Sequence, residues 1–284
     1  MEVAQKTYIC CFWKICNMKE NIIRGLSGVM YISILVVSIF ASEFAFTTLF
    51  LLFGLICLRE LQRLLHLKSL LGYILLIGLF YIFSYMRWSP YATLVLLMIT
   101  IFVNLFLVKD LMLVNKIPLF EKKKYVIVIF YLIASMIFLT LIPSYSGDFT
   151  PELVVGIFSL IWINDTFAYL VGKNFGKKKL FERISPKKTV EGFLGGLVFS
   201  AIAAYLVYFF TGLLNIHTWV GMAVILSIFG TLGDLIQSKF KRQAGVKDSG
   251  RLMPGHGGLF DRLDSIIFSS PFVYAYLQLL NYVS

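Results

Sequence analysis

A chain of 284 residues could hold one or two soluble domains, but this one is 59% hydrophobic, 16% aromatic and only 14% charged, with a mean hydropathy of +0.84. That is too little polar surface to cover a water-exposed globule, which excludes a soluble fold and leaves a bilayer as the solvent. The net charge of +11 and pI near 9.4 do not indicate nucleic acid here; in a membrane chain basic excess belongs to cytoplasmic loops facing anionic lipid, and no nucleic-acid partner is expected.

Taken in chain order, the first 17 residues hold a short apolar run, YICCFWKIC, interrupted by Lys14 and followed by no small-residue cleavage site, so a signal peptide is not expected. Met18 opens MKENIIRGLSG, a reasonable start in its own right. Apolar runs long enough to cross a bilayer as helices then follow at roughly 22–42, 43–65, 69–86, 90–108, 125–142, 151–172, 190–213, 218–240 and 262–280. The third is short, and only Ser42-Glu43 separates the first two. Without tandem repeats, low-complexity tracts or a soluble segment, the chain reads as one all-α polytopic membrane domain over 1–284. Residues 1–150 form an N-terminal multi-span region, and 151–284 carry the chemistry. Cys10, Cys11, Cys16 and Cys57 show neither a C-x-x-C pair nor histidines at zinc-site spacing and read as reduced thiols.

Basic residues set the orientation. With the N-terminus inside, every one of the 26 Lys and Arg residues except Arg87 falls in a cytoplasmic segment. A split this one-sided supports nine spans, a cytoplasmic N-terminus and an external C-terminus.

Two of the cytoplasmic loops are more than basic. GKNFGKKKLFERISPKKTVEG and SKFKRQAGVKDSGRLMPGHGGLFDRLDS add glycine, proline and small polar residues. Such residues let backbone N–H groups approach an anion closely, whereas charge alone needs only lysines. The Lys177-Lys178-Lys179 run reads as ordinary inside charge. The flanking spans carry ionisable groups where these are costly: Asp165 late in the sixth and Asp234 late in the eighth. On a helix Asp234, Ser238, Lys241 and Arg242 share one face, and so do Asp261 and Asp264 at the start of the ninth span. Carboxylates converging at the membrane edge suit a hard cation such as Mg²⁺. Asp165 taken alone also fits a helix–helix hydrogen bond or an ion pair. His256 has no histidine or cysteine neighbour, which argues against zinc and leaves a phosphate contact or a turn residue; His66 and His217 read as solvent or interface residues. These pieces suit phosphoryl or nucleotidyl transfer, in which a cation, basic side chains and positioning do most of the work. No P-loop and no soluble-kinase signature is present. A site at the membrane edge points to a lipid as one substrate.

The stretch from Ser238 to Asp264 resembles the signature of the phosphatidate cytidylyltransferases (CDP-diacylglycerol synthases): S-x-x-K-R, K-D, P-G-H-G-G and D-R-x-D at fixed spacing. D-T-F-A-Y-L-V-G-K-N-F-G-K, I-S-P-K-K-T-V-E-G and G-D-L resemble that family too, so the likeness runs from about residue 160 to 270, while the first 150 residues match only as a hydrophobic multi-span region. The resemblance implies conversion of CTP and phosphatidic acid to CDP-diacylglycerol and pyrophosphate, in a bacterial inner membrane with the site facing the cytoplasm. It implies Mg²⁺, with K⁺ beside it, held by Asp234 and Asp261. It further implies an all-helical dimeric fold with a polar cavity open to cytoplasm and lipid. In that scheme Lys241, Arg242, Lys247 and Asp248 join the two metal-holding aspartates as catalytic residues. Ser185, Lys187, Lys188, Ser238, His256, Gly257, Gly258, Arg262, Asp165 and Asp264 contact substrate. Two rivals remain: another membrane lipid phosphotransferase or lipid kinase, and a transporter. The D-G-x-x-A-R run usual in CDP-alcohol phosphotransferases is absent, and no two matching halves carry interrupted helices.

Overall fold

A computed structural model describes residues 25–114, 116–252 and 257–283. The predictions made for Lys6, Lys14, Lys19, Arg24, the three N-terminal cysteines and His256 lie outside the described residues. Among the described residues, seven helices are long and apolar enough to cross a membrane: α2 (Glu43–Leu64), α4 (Pro90–Leu113), α5 (Glu121–Ser144), α6 (Pro151–Phe175), α7 (Val190–Thr211), α8 (Ile216–Gln243) and α9 (Phe260–Val283). Two shorter apolar helices, α1 (Gly25–Ala41) and α3 (Leu71–Tyr85), match the first and third predicted runs.

Local chemistry explains the boundaries. Ser42 has extended backbone (φ −176°), and its hydroxyl accepts the Ala45 N–H at 3.0 Å, so one capping residue ends α1 and starts α2. Ser89 with Pro90, Thr189 and Asn215 begin α4, α7 and α8 in the same way. Gly212, at φ +63°, closes α7 in the left-handed conformation that glycine adopts without strain. Several helices continue past their predicted apolar ends through polar and charged residues: α4 runs on to Leu113, α6 to Phe175 and α8 to Gln243.

The heart of the bundle is α5, whose membrane window is 78% buried, with α9 beside it at 61%. By contrast α4 and α7 leave most of their apolar side chains facing outward, as lipid contact requires. Where α6 and α7 cross, the backbones approach through small residues; a Cβ on Gly196 would stand 2.8 Å from the Asn164 carbonyl oxygen.

Contacts sort the helix ends into two faces. At one, the Lys239 ammonium is buried and donates to the carbonyls of Asp110 (2.8 Å), Leu111 (3.2 Å) and Val114 (2.6 Å), satisfying the C-terminal end of α4. Lys123 pairs with Asp110 at the same place. At the other face Glu43 pairs with Arg87 and accepts the Ser144 hydroxyl at 2.8 Å, clasping the ends of α2, α3 and α5. Arg87, the one basic residue that the expected orientation leaves outside the cytoplasmic segments, is thereby paired. The all-helical prediction needs one addition: β1 (Lys179–Phe181) and β2 (Ser185–Thr189) form an antiparallel hairpin between α6 and α7. Its base is gripped by the Glu191 carboxylate, which accepts the backbone N–H groups of Lys177 (3.0 Å) and Lys178 (3.1 Å).

Candidate active site

The hairpin, the last turns of α6 and α8 and the first turns of α7 and α9 enclose a cleft of about 830 Å³. Five carboxylates line it: Asp165 from α6, Asp234 from α8, Asp248 from the loop that follows, and Asp261 and Asp264 from α9. Lys179, Lys187, Lys188, Lys241, Arg262 and Ser185 line it with them. Residues from both signature loops and all five aspartates singled out in the sequence therefore meet in one place.

Two of the carboxylates are held very differently. Asp234 pairs with Lys188 across from the hairpin and accepts the Ser238 hydroxyl at 3.1 Å, one helical turn on. That pair is partly open, its side chains 28% and 31% exposed. Asp261 sits deeper, 7% exposed, with the Lys241 ammonium 2.7 Å from its Oδ1. Its Oδ2 receives the backbone N–H groups of Ser249 (2.8 Å) and Gly258 (3.0 Å) and faces the Ser249 hydroxyl at 3.0 Å. Gly257, at φ +85°, makes the turn that delivers these amides, and a Cβ there would lie 2.9 Å from Asp261 Oδ2.

Asp264 lies one turn after Asp261 and accepts the Ser265 N–H at 2.8 Å. Asp165 accepts from the Asn164 side-chain amide at 3.3 Å, a helix-internal contact that leaves its carboxylate turned to the cleft. Arg242 and Lys247 are exposed and stand outside the residues that line the cleft. Lys239, counted among the basic residues of the signature, is instead buried under α4 as described above.

The sequence reading passed over Glu60. This α2 residue is buried, and its carboxylate accepts the Ser249 hydroxyl (2.6 Å) and the backbone N–H groups of Leu259 (3.2 Å) and Phe260 (3.0 Å). A signal existed: it is an acid late in an apolar span, the same feature that drew attention to Asp165 and Asp234. Flanking Arg59 and Arg63 made it look like ordinary helix-end charge. Ser249, Tyr169 and Thr231 are further polar residues at the site without a sequence signature of their own.

The cleft continues into a second groove of about 320 Å³ toward α1. The two share Asp165, Asp261, Arg262, Asp264 and Ser265. The extension is walled by Tyr31, Ile32, Phe158, Ile161 and Trp162. A charged chamber thus opens, past an arginine, onto an apolar slot between helices. Such an arrangement can hold an anionic head group and its hydrocarbon tail at once.

Phosphatidate cytidylyltransferase of Staphylococcus aureus (strain COL) is 53% identical over 116 residues, which are 40% of this chain and 44% of that protein. The Staphylococcus haemolyticus (strain JCSC1435) protein of the same name is 53% identical over 115 residues, with the same shares covered. That of Staphylococcus epidermidis (strain ATCC 35984) is 49% identical over 115. The match therefore spans under half the length of these curated relatives. The sequence model of the Cytidylyltransferase family reaches much further, matching residues 22–280, so that it takes in α1 to α9, the hairpin and both grooves: the chain belongs to the cytidylyltransferase family.

Proposed function

We propose that this protein is a phosphatidate cytidylyltransferase, joining CTP to phosphatidic acid to give CDP-diacylglycerol and pyrophosphate. The observation that carries the reading is the continuity of a lysine- and carboxylate-lined cleft with an apolar slot between membrane helices. The reaction needs that pairing, since a triphosphate and a lipid phosphate must meet while the acyl chains stay in hydrocarbon. A transporter would have no need of the three-donor cradle around Asp261.

Both reactants are anions, so their mutual repulsion is the first barrier. Lys188, Lys241 and Arg262 stand where the phosphates would converge and supply the opposing charge. The nucleophile is a phosphatidate oxygen already ionised near neutral pH, so no strong general base is called for. That oxygen attacks the α-phosphorus of CTP in line, the α–β bridging bond breaks, and pyrophosphate leaves with the bond's electron pair. In-line placement accounts for much of the acceleration in such a step.

Mg²⁺ fits the donor set. Among the described residues no three of His, Cys, Asp and Glu are gathered closely enough to enclose a metal ion. Mg²⁺ usually takes one or two carboxylates and completes its shell with water and substrate phosphates, which is what Asp234 and Asp261 at the cleft edge offer. When bound there it would neutralise phosphate charge. A K⁺ ion beside it rests on the family likeness alone. The same reading has the chain cross the bacterial inner membrane nine times, with the cleft on the cytoplasmic side and two copies forming a homodimer. The test is to incubate detergent-solubilised protein with labelled CTP, phosphatidic acid and Mg²⁺. CDP-diacylglycerol should form only when all three are present, and ATP or GTP should substitute poorly. If none forms, yet vesicles carrying the protein take up a solute, the transporter reading replaces this one.

A further inference from the structure

We infer that Glu60 is a positioning residue for the active site, acting through Ser249 and the first turn of α9 to hold Asp261; the inference rests on the proposed nucleotidyl transfer. Glu60 belongs to the N-terminal half, which shows no motif likeness to the family. Its carboxylate nevertheless reaches across to the signature loop and accepts from it three times.

The geometry gives these contacts a purpose. Leu259 and Phe260 lie where α9 begins, and their N–H groups belong to the set a helix start leaves without internal partners. Glu60 satisfies two of them from a different helix and places a negative charge at the positive end of α9. Asp261 follows directly, so fixing Phe260 fixes the origin of the side chain that Lys241 meets. Ser249 makes the second connection. Its hydroxyl stands 2.6 Å from Glu60 and 3.0 Å from Asp261, but carries a single proton. The shorter distance assigns that proton to Glu60. Asp261 Oδ2 is then held by the two backbone amides, with lone-pair capacity to spare for a cation.

The loop is built around this carboxylate. A Cβ on Gly250 would run into the Glu60 side chain, and one on Gly258 into the Ser249 hydroxyl and Glu60, so glycine at these two loop positions makes room for the carboxylate and its partner. The buried acid forms no ion pair among the described residues, an expensive arrangement that three well-aimed donors offset.

The test uses the full chain purified in detergent, as wild type, Glu60→Gln and Gly250→Ala. An amide at position 60 keeps the shape but loses the charge and turns an N–H₂ group toward N–H donors. Three readouts are taken: kcat and KM for CTP per folded molecule, the melting temperature, and hydrogen exchange at the amides of Ser249, Leu259 and Phe260. In Glu60→Gln those amides should exchange about tenfold faster or more while α6 and α7 stay as in wild type, and kcat should fall about tenfold or more with KM changed less than about threefold, the scale of losing a charged acceptor for buried donors. Gly250→Ala, which crowds the carboxylate without removing it, should shift exchange and kcat in the same direction; if Glu60→Gln does not fold, this variant decides by the same thresholds. Wild-type exchange at the three amides, or kcat within about twofold, overturns the inference, as does faster exchange throughout the chain with normal turnover in the folded fraction. If the wild-type protein makes no CDP-diacylglycerol, the proposed reaction falls and the exchange result alone decides whether Glu60 holds the loop.

Discussion

The same conservative change, Asp to Asn, should have different consequences at the two carboxylates proposed to hold Mg²⁺. At Asp234 it removes the charge from a partly open pair, with Lys188 28% and Asp234 31% exposed. Pairs of that kind contribute on the order of 0.2–1 kcal/mol, so Asp234→Asn should fold with a melting temperature within about 2 °C of wild type. At Asp261 the carboxylate is 7% exposed and gathers Lys241 and two backbone amides. An amide offers one oxygen where three donors converge and leaves a buried ammonium without its counter-charge. Breaking one side of a buried pair costs about 3–5 kcal/mol, which corresponds to a fall of roughly 6–15 °C for a chain of this size. Turnover should drop at both positions by about 10³-fold, on the order of 4 kcal/mol of transition-state stabilisation, if each carboxylate contributes to one cation site. The double variant should then be little slower than either single one, because residues acting as a unit are not additive. Initial rates per folded molecule across a Mg²⁺ titration, with size-exclusion profiles and melting curves, read all of this. Folded Asp234→Asn that keeps more than about a tenth of wild-type activity at low Mg²⁺ would refute the metal assignment. Equal melting temperatures for the two single variants would refute the burial argument.

Three further outcomes are expected. Cysteines placed at Lys179 and at Arg251 in a cysteine-free background should resist an impermeant thiol reagent in intact cells, while one at Tyr282, 92% exposed, should react; labelling at position 251 from outside overturns the orientation. Ile32→Trp, which fills the apolar extension of the cleft, should raise KM for phosphatidic acid by about tenfold, the order lost with 1–2 kcal/mol of contact, and leave KM for CTP unchanged. Gly196→Val should lower the melting temperature by about 5 °C or more, because its Cβ would stand 2.8 Å from the Asn164 oxygen and force α6 away from α7; an unchanged melt would mean the helices separate at no cost.

Much of the molecule could be read from its sequence because the bilayer imposes one simple rule, that spans be long and apolar. The helix positions followed from that rule, and so did the attention paid to Asp165, Asp234, Asp261 and Asp264, since charge is conspicuous where it is costly. Elements held by distant partners escaped. The hairpin from Lys179 to Thr189 carries three lysines, an arginine and a proline and has no alternating apolar pattern. It forms because Glu191 ties down its base and Lys188 is drawn to Asp234, and neither contact leaves a trace in strand propensity. Arg242 and Lys247 are a different case. Basic charge in the signature segment drew attention to both, and in the structure they are exposed and stand outside the residues that line the cleft.

Glu60 shows why a recognisable signature can still be an incomplete account of a site. A loop rich in glycine can bring its backbone close to a phosphate because it has few side chains, and for the same reason it has little with which to hold itself in place. The missing constraint must come from elsewhere in the chain. Here it comes from one carboxylate on α2, separated by 189 to 200 residues from the groups it binds, and embedded in a largely apolar span. Substitution among the apolar neighbours of Glu60 preserves the span as long as volume and hydrophobicity are kept. Glu60 has no such freedom, because another side chain would leave the N–H groups of Leu259 and Phe260 unsatisfied in a buried position. The signature motifs sit in the second half of the chain, but the family likeness runs over residues 22–280. In the folded molecule the cradle of Asp261 is assembled from both halves.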